Sequence, residues 1–179
     1  FYSNTATNVG GALATEDGEL SVDNSIFAGN TADEAPTLDA AQSDVDLAQI
    51  TVHEDTIGGT TGALLQVTDT RGNWTNLIIS APAPIGIRSF GTDGNIDLDG
   101  VLFHQTTEPW ERELRETFIV TNELSGDPEF VGITEDTNPT NDDLHLAATS
   151  PAVDAASSGA DADGSPADFG AYGGALSDW

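Results

Sequence analysis

Apolar and polar residues alternate over short runs such as Leu20-Ser21-Val22 and Ile96-Asp97-Leu98, the period of a β-strand with one buried face. Helical spacing is absent from these runs. The runs also recur: Phe1-Tyr2-Ser3-Asn4-Thr5-Ala6 returns as Phe27-Ala28-Gly29-Asn30-Thr31-Ala32, an offset of 26 residues. Offsets of 25, 27 and 24 then align Leu20, Val45, Gly72 and Ile96 in one column and Val22, Leu47, Trp74 and Leu98 in the next. Two more columns follow, Ser25, Ile50, Leu77 and Val101, and Phe27, Val52, Ile79 and Phe103. Fourteen of these sixteen positions are apolar, against about six for random placement of the same residues.

Gly10-Gly11, Gly58-Gly59 and Asp93-Gly94 punctuate the runs as tight turns require, and a second short strand per repeat falls around Leu13, Leu38, Leu64 and Ile87. Repeats of this length with several short strands stack as solenoid coils. The leucine-rich repeat shares the length, but its asparagine-anchored consensus is missing. The expected fold is therefore all-β, a right-handed parallel β-helix of four to five coils over residues 1–103. A polar column, Asn24, Gln49 and Asn76 with Gly100 in the fourth coil, supports it, since stacked amides about 4.8 Å apart can hydrogen-bond along the stack. After Phe103 the register is expected to fail. Thr107 to Arg115 reads as a short helix or loop, Thr117 to Val120 as another strand, and residues 104–179 as the last strand or strands and a C-terminal cap over the open apolar end.

The C-terminal motifs Gly126-Asp127-Pro128-Glu129-Phe130-Val131, Asp143-Leu144-His145-Leu146, Ser150-Pro151-Ala152-Val153-Asp154-Ala155 and Asp168-Phe169-Gly170-Ala171-Tyr172-Gly173-Gly174 occur in that order. The series resembles the C-terminal region of bacterial "choice-of-anchor" β-helix surface proteins. Upstream, Gly10-Gly11-Ala12-Leu13 and the segment from Asn24 to Ala32 resemble the repeats of polymorphic outer-membrane proteins. The resemblance implies secretion, a parallel β-helix, and a sorting or anchoring segment farther downstream. Two departures stand out: Asp154-Ala155-Ala156 lacks the usual glycine, and Tyr172-Gly173 stands where Tyr-Glu is commoner.

Charge narrows the partners. With 31 acidic residues and only Arg71, Arg88, Arg112 and Arg115 as basic ones, the net charge is -27. Such a field repels nucleic acid and anionic membranes and favours cations. No run is long and apolar enough to insert in a bilayer, and zero cysteine excludes disulfides and zinc-thiolate sites. Alternate aspartates followed by glycine in Asp161-Ala162-Asp163-Gly164, with Asp168 beyond, make Asp161, Asp163 and Asp168 a candidate calcium site. An Asp/Gly turn using the same carboxylates as caps is the competing reading. His53 and His104 follow inward residues, so both are expected outward, exposed, two coils and roughly 10 Å apart, too far to share one zinc. His145 reads as a hydrogen-bonded structural residue. Asn73-Trp74-Thr75 matches a glycosylation sequon, which its place beside a core position makes a chance match.

An enzyme is not expected. Polysaccharide lyases on this fold need a basic group, and only Arg71 and Arg88 lie in the coils; a glycoside hydrolase needs a carboxylate pair, which 31 acids can supply by accident. The expected function is an extracellular or cell-surface structural or binding module, a stalk or adhesin segment with a surface or glycan partner. The alternatives are a fragment of a polysaccharide lyase or glycoside hydrolase, and a filament subunit. The filament reading follows from Phe1 lying inside a repeat, where Phe1, Leu13 and Leu20 would present an end able to associate head to tail.

Overall fold

A computed structural model describes residues 1–112, 117–134, 136 and 138–176. It is a parallel β-solenoid of about five turns, with no α-helix among the described residues. The first full coil contains β1 (Leu13–Glu16), β2 (Glu19–Ala28) and β3 (Thr31–Ala32), and the second β4 (Leu38–Ala41), β5 (Asp44–His53) and β6 (Thr56–Ile57). In the third coil β7 (Ala63–Thr68) leads to β8 (Arg71–Phe90), which runs on into the next turn, as does β9 (Asn95–Arg112). β10 (Thr117–Ser125) closes the stack. Residues ahead of β1 form part of a further turn, through the parallel bridges Tyr2 to Ala28 and Thr5 to Thr31.

The register is the one the repeat offsets predict. Leu20 pairs with Val45; Val22 pairs with Leu47 and Leu47 with Trp74; and Phe27 pairs with Val52, Val52 with Ile79 and Ile79 with Phe103. These columns fill the interior; Val45, Val52, Trp74, Leu77, Ile79 and Leu98 are all fully buried. Gly72, an exception in its column, has a steric cause. A Cβ there would lie 1.7 Å from the Val45 carbonyl oxygen, which instead accepts a 2.9 Å hydrogen bond from the Trp74 indole. The ladder skips that pair, and the Asp46 carboxylate takes the Asn73 amide at 2.8 Å, so both interrupted backbone groups find partners.

Two expectations need correction. The register does not fail after Phe103: Phe118 pairs with Ile96 and Val120 with Leu98, because a shorter connection brings a fifth coil into line. Thr107 to Arg112 is neither helix nor loop but the end of β9, where Trp110 pairs with Ile87 and packs on Phe118; Arg115 lies outside the described residues. The second strand expected around Leu64 is β7, in which Leu65 pairs with Leu38 and Ile87.

The C-terminal segment is also not a lid on the end of the stack. From Ser125 it turns back along the side. β11 (Phe130–Gly132) and β12 (Asp143–Leu146) form an antiparallel pair joined through a 3-10 turn at Pro139–Asn141 that presses on Gly29. The chain then runs to Leu176 against an outward column, Ile26, Ile78 and Leu102, where Ala152, Phe169 and Ala171 are buried. The physical reason is that these coil strands are apolar on both faces, so the wall needs a cover. We refer to residues 126–176 as the clasp.

Candidate functional site

The seam between wall and clasp concentrates the polar chemistry. Asn24, Gln49, Asn76, Gly100 and Asn122 form one column at the bend of each coil, and all have positive φ, from 42° at Asn24 to 89° at Gly100. Asn and Gly tolerate this left-handed backbone best, which explains the column's composition. The amides expected to bond along the stack mostly bond across the seam instead. Asn24 donates to the carbonyls of Ala171 and Gly173, each at 3.0 Å, and Asn122 to that of Ala155 at 2.8 Å. Gln49, with its amide oriented to match, donates to the Asp168 and Gly170 carbonyls. Asn76 accepts the Gly170 N–H through its backbone oxygen, and the Thr51 hydroxyl accepts that of Ala171. Gly100 leaves room for the Phe169 ring, 2.8 Å from where a Cβ would sit.

An amide ladder along the stack does exist elsewhere. The Asn4 side chain donates to Asn30 at 2.9 Å, and Asn30 donates to Asp55 through its backbone at 2.7 Å and its side chain at 3.0 Å. Thr37 supplies a 2.6 Å hydroxyl bond to the other Asp55 oxygen. Asp55 is fully buried, and burial outweighs these donors, pushing its pKa up to about 6. An unfolded aspartate titrates near 3.9, so between about pH 4 and 6 the folded state holds more protons and stability rises as pH falls. Above pH 6 the ionised carboxylate costs the fold on the order of 3 kcal/mol. Asp55→Asn is therefore expected to melt higher than wild type at pH 7 and to lose that advantage by about pH 4. Melting curves at both pH values check this, and a constant difference between the two proteins would show that Asp55 does not titrate in this range.

Asp161, Asp163 and Asp168, the candidate calcium ligands, line one pocket together with Asp154. Each spends an oxygen on turn amides: Asp161 accepts from Asp168 and Gly174, Asp163 from Ser165, and Asp168 from Asp154. Burial, then the neighbouring carboxylates of Asp161 and Asp154, raise the Asp168 pKa, while the Ser165 hydroxyl and amide lower that of Asp163. The turn role is thus built, whatever ion joins it.

His145 is hydrogen-bonded as expected, whereas His53 and His104 differ from their expected setting. His104 is half-buried and shares a 3.1 Å hydrogen bond with Ser80 in the coil below. His145 is exposed, hydrogen-bonded to Asp143 at 2.6 Å and stacked on Tyr172. His53 is not exposed at all. It is outward, as the alternation requires, but only 6% accessible, because Phe130 of β11 lies edge-on over it at 5.5 Å. Its Nε2 is 3.3 Å from Asp142 Oδ2 and 3.8 Å from Glu54 Oε1, yet neither ring nitrogen makes a hydrogen bond. Among the described residues this is the one trio of His and carboxylate side chains with a ligand atom from each within 4.8 Å of the others. Sequence reasoning missed it because Asp142 belongs to a segment assigned to the end of the stack. The double-faced apolar runs Ser25 to Ala28 and Leu77 to Ile79 were the available signal that this wall is covered.

Fold and seam together define a laterally clasped parallel β-solenoid. No protein-family model, curated protein or solved structure matches the chain.

Proposed function

We propose that the chain is a rigid structural and binding module of a secreted or cell-surface protein, a stalk or adhesin segment akin to the choice-of-anchor β-helix proteins its C-terminal motifs resemble. The observation that carries this reading is the stacking of five coils in one register, from Leu20 through Val45, Gly72 and Ile96 to Phe118, closed on one wall by the clasp. Successive coils brace one another through parallel ladders, so the unit transmits force and position rather than opening and closing.

The neighbouring wall supports a binding role. Its outward residues Ser21, Asp46, Asn73 and Asp97 stand exposed in one column, with exposed Asp23 beginning another. Groups repeating about every 4.8 Å suit an extended ligand with its own repeat, such as a glycan chain. The negative charge favours neutral glycans, or anionic ones bridged by cations.

Antibodies against the chain are expected to label intact cells of the producing organism, and labelling only after permeabilisation would overturn the surface placement. A screen of neutral and acidic polysaccharides is expected to give retention on at least one immobilised glycan without cleavage. Release of reducing ends or unsaturated products would establish the lyase or hydrolase reading instead.

A further inference from the structure

We infer that His53, Glu54 and Asp142 bind a divalent transition-series cation, zinc or manganese by class, which fastens the clasp to the second coil. The donor atoms are already gathered. At metal–ligand bonds of about 2.0–2.2 Å, tetrahedral donors lie roughly 3.3–3.6 Å apart, and His53 Nε2 stands 3.3 Å from Asp142 Oδ2 and 3.8 Å from Glu54 Oε1. All three donor atoms lie within 4.8 Å of one another, and a rotation of the partly exposed Glu54 side chain completes the set.

The His53 ring is the independent sign that something belongs there. Its side chain is 7% exposed and neither nitrogen has a hydrogen-bond partner, an arrangement that costs the fold unless a ligand supplies what water cannot. An ion on Nε2 satisfies one of those nitrogens. It also neutralises Asp142 Oδ2, whose carboxylate is almost fully buried.

The support around the trio is that of a ligand set rather than of a simple ion pair. Asp142 Oδ1 accepts from both the amide and the hydroxyl of Thr134, each at 2.8 Å, which fixes the carboxylate and leaves Oδ2 free to face His53. Phe130 fixes the imidazole plane. Glu54, with a side chain 35% exposed, lies at the mouth and gives the ion a way in from solvent. Three protein donors leave a tetrahedral ion one position for water.

The donor set also selects among ions. Calcium and magnesium prefer all-oxygen cages, whereas an imidazole with two carboxylates suits zinc or manganese. This separates the site from the Asp161, Asp163 and Asp168 pocket, which offers only oxygen.

The test is zinc titration of the metal-stripped chain by calorimetry, in physiological salt with millimolar calcium present so that surface carboxylates are screened and occupied. Wild type is expected to take up one zinc per chain and to melt at a higher temperature with it. His53→Gln and Asp142→Asn are each expected to weaken that uptake by at least about tenfold. The amide oxygen introduced by Asp142→Asn can still accept from Thr134, so circular dichroism should confirm that this variant is folded. Cobalt(II) in place of zinc should give the visible absorption of a four-coordinate ion in wild type and not in His53→Gln. Asp161→Asn should leave zinc binding unchanged. Uptake that is the same in wild type, His53→Gln and Asp142→Asn would assign the ion to the acidic surface and overturn the site, as would a folded wild type that takes up none.

Discussion

Replacing Ile79 with Asp is expected to leave the chain unfolded at room temperature. Ile79 is fully buried in the interior column between Val52 and Phe103, and the described structure places no cation beside it. An uncompensated buried charge costs about 3–5 kcal/mol beyond the lost apolar contact, against a total stability of about 5–15 kcal/mol for a domain. Coils stabilise one another by contact with neighbours, so a break in the third coil uncouples both halves of the stack. Ser21→Asn, at an exposed position on the neighbouring wall, should change stability by no more than about 0.5 kcal/mol. Circular dichroism and thermal melts decide the matter; if both variants melt alike, the interior assignment is wrong. His53 and Ser80, outward by alternation, are not the harmless controls that alternation suggests, because both are buried under the clasp wall.

Phe169→Ala is expected to release the clasp while the coils stay folded. The ring is 1% exposed and packs with Ile78, Leu102 and Ala152 on the outer wall. Truncating a buried phenylalanine costs about 3–5 kcal/mol, enough to raise the population of locally opened clasp by about 10²- to 5 × 10³-fold. Limited proteolysis should cut within residues 126–176 far faster than in wild type, and a dye that binds exposed apolar surface should report the uncovered Ile26, Ile78 and Leu102. The β-sheet circular dichroism should persist. Loss of all structure in one step would mean that coils and clasp fold as a single unit, and unchanged proteolysis that Phe169 does not hold the clasp.

These two substitutions divide what the chain encodes locally from what it encodes at a distance. Alternation and repeat spacing are properties of neighbouring residues, so the strand faces, the coil register from Leu20 to Phe103 and the bend column at Asn24, Gln49 and Asn76 were legible without coordinates. The fifth coil was not, because its offset from Phe118 to Ile96 is shorter than the others and β9 continues through a segment whose Thr107 and Pro109 read as the start of a helix. Glycines illustrate the same limit. Gly72 looked like a defect in an apolar column until the Trp74 indole was seen bonded to the Val45 carbonyl that a Cβ would strike.

The sequence by itself determined an acidic, cysteine-free parallel β-solenoid, since a repeated pattern of half-buried strands can bury its columns only by stacking on copies of itself. Only the tertiary structure decided where residues 126–176 go. No periodicity links them to the coils, and their placement follows from the fit of Phe130, Leu144 and Phe169 on an outward apolar wall. That placement buries His53 and carries Asp142 to it, so the candidate ion site arises from a contact between two segments whose individual patterns contain no trace of each other.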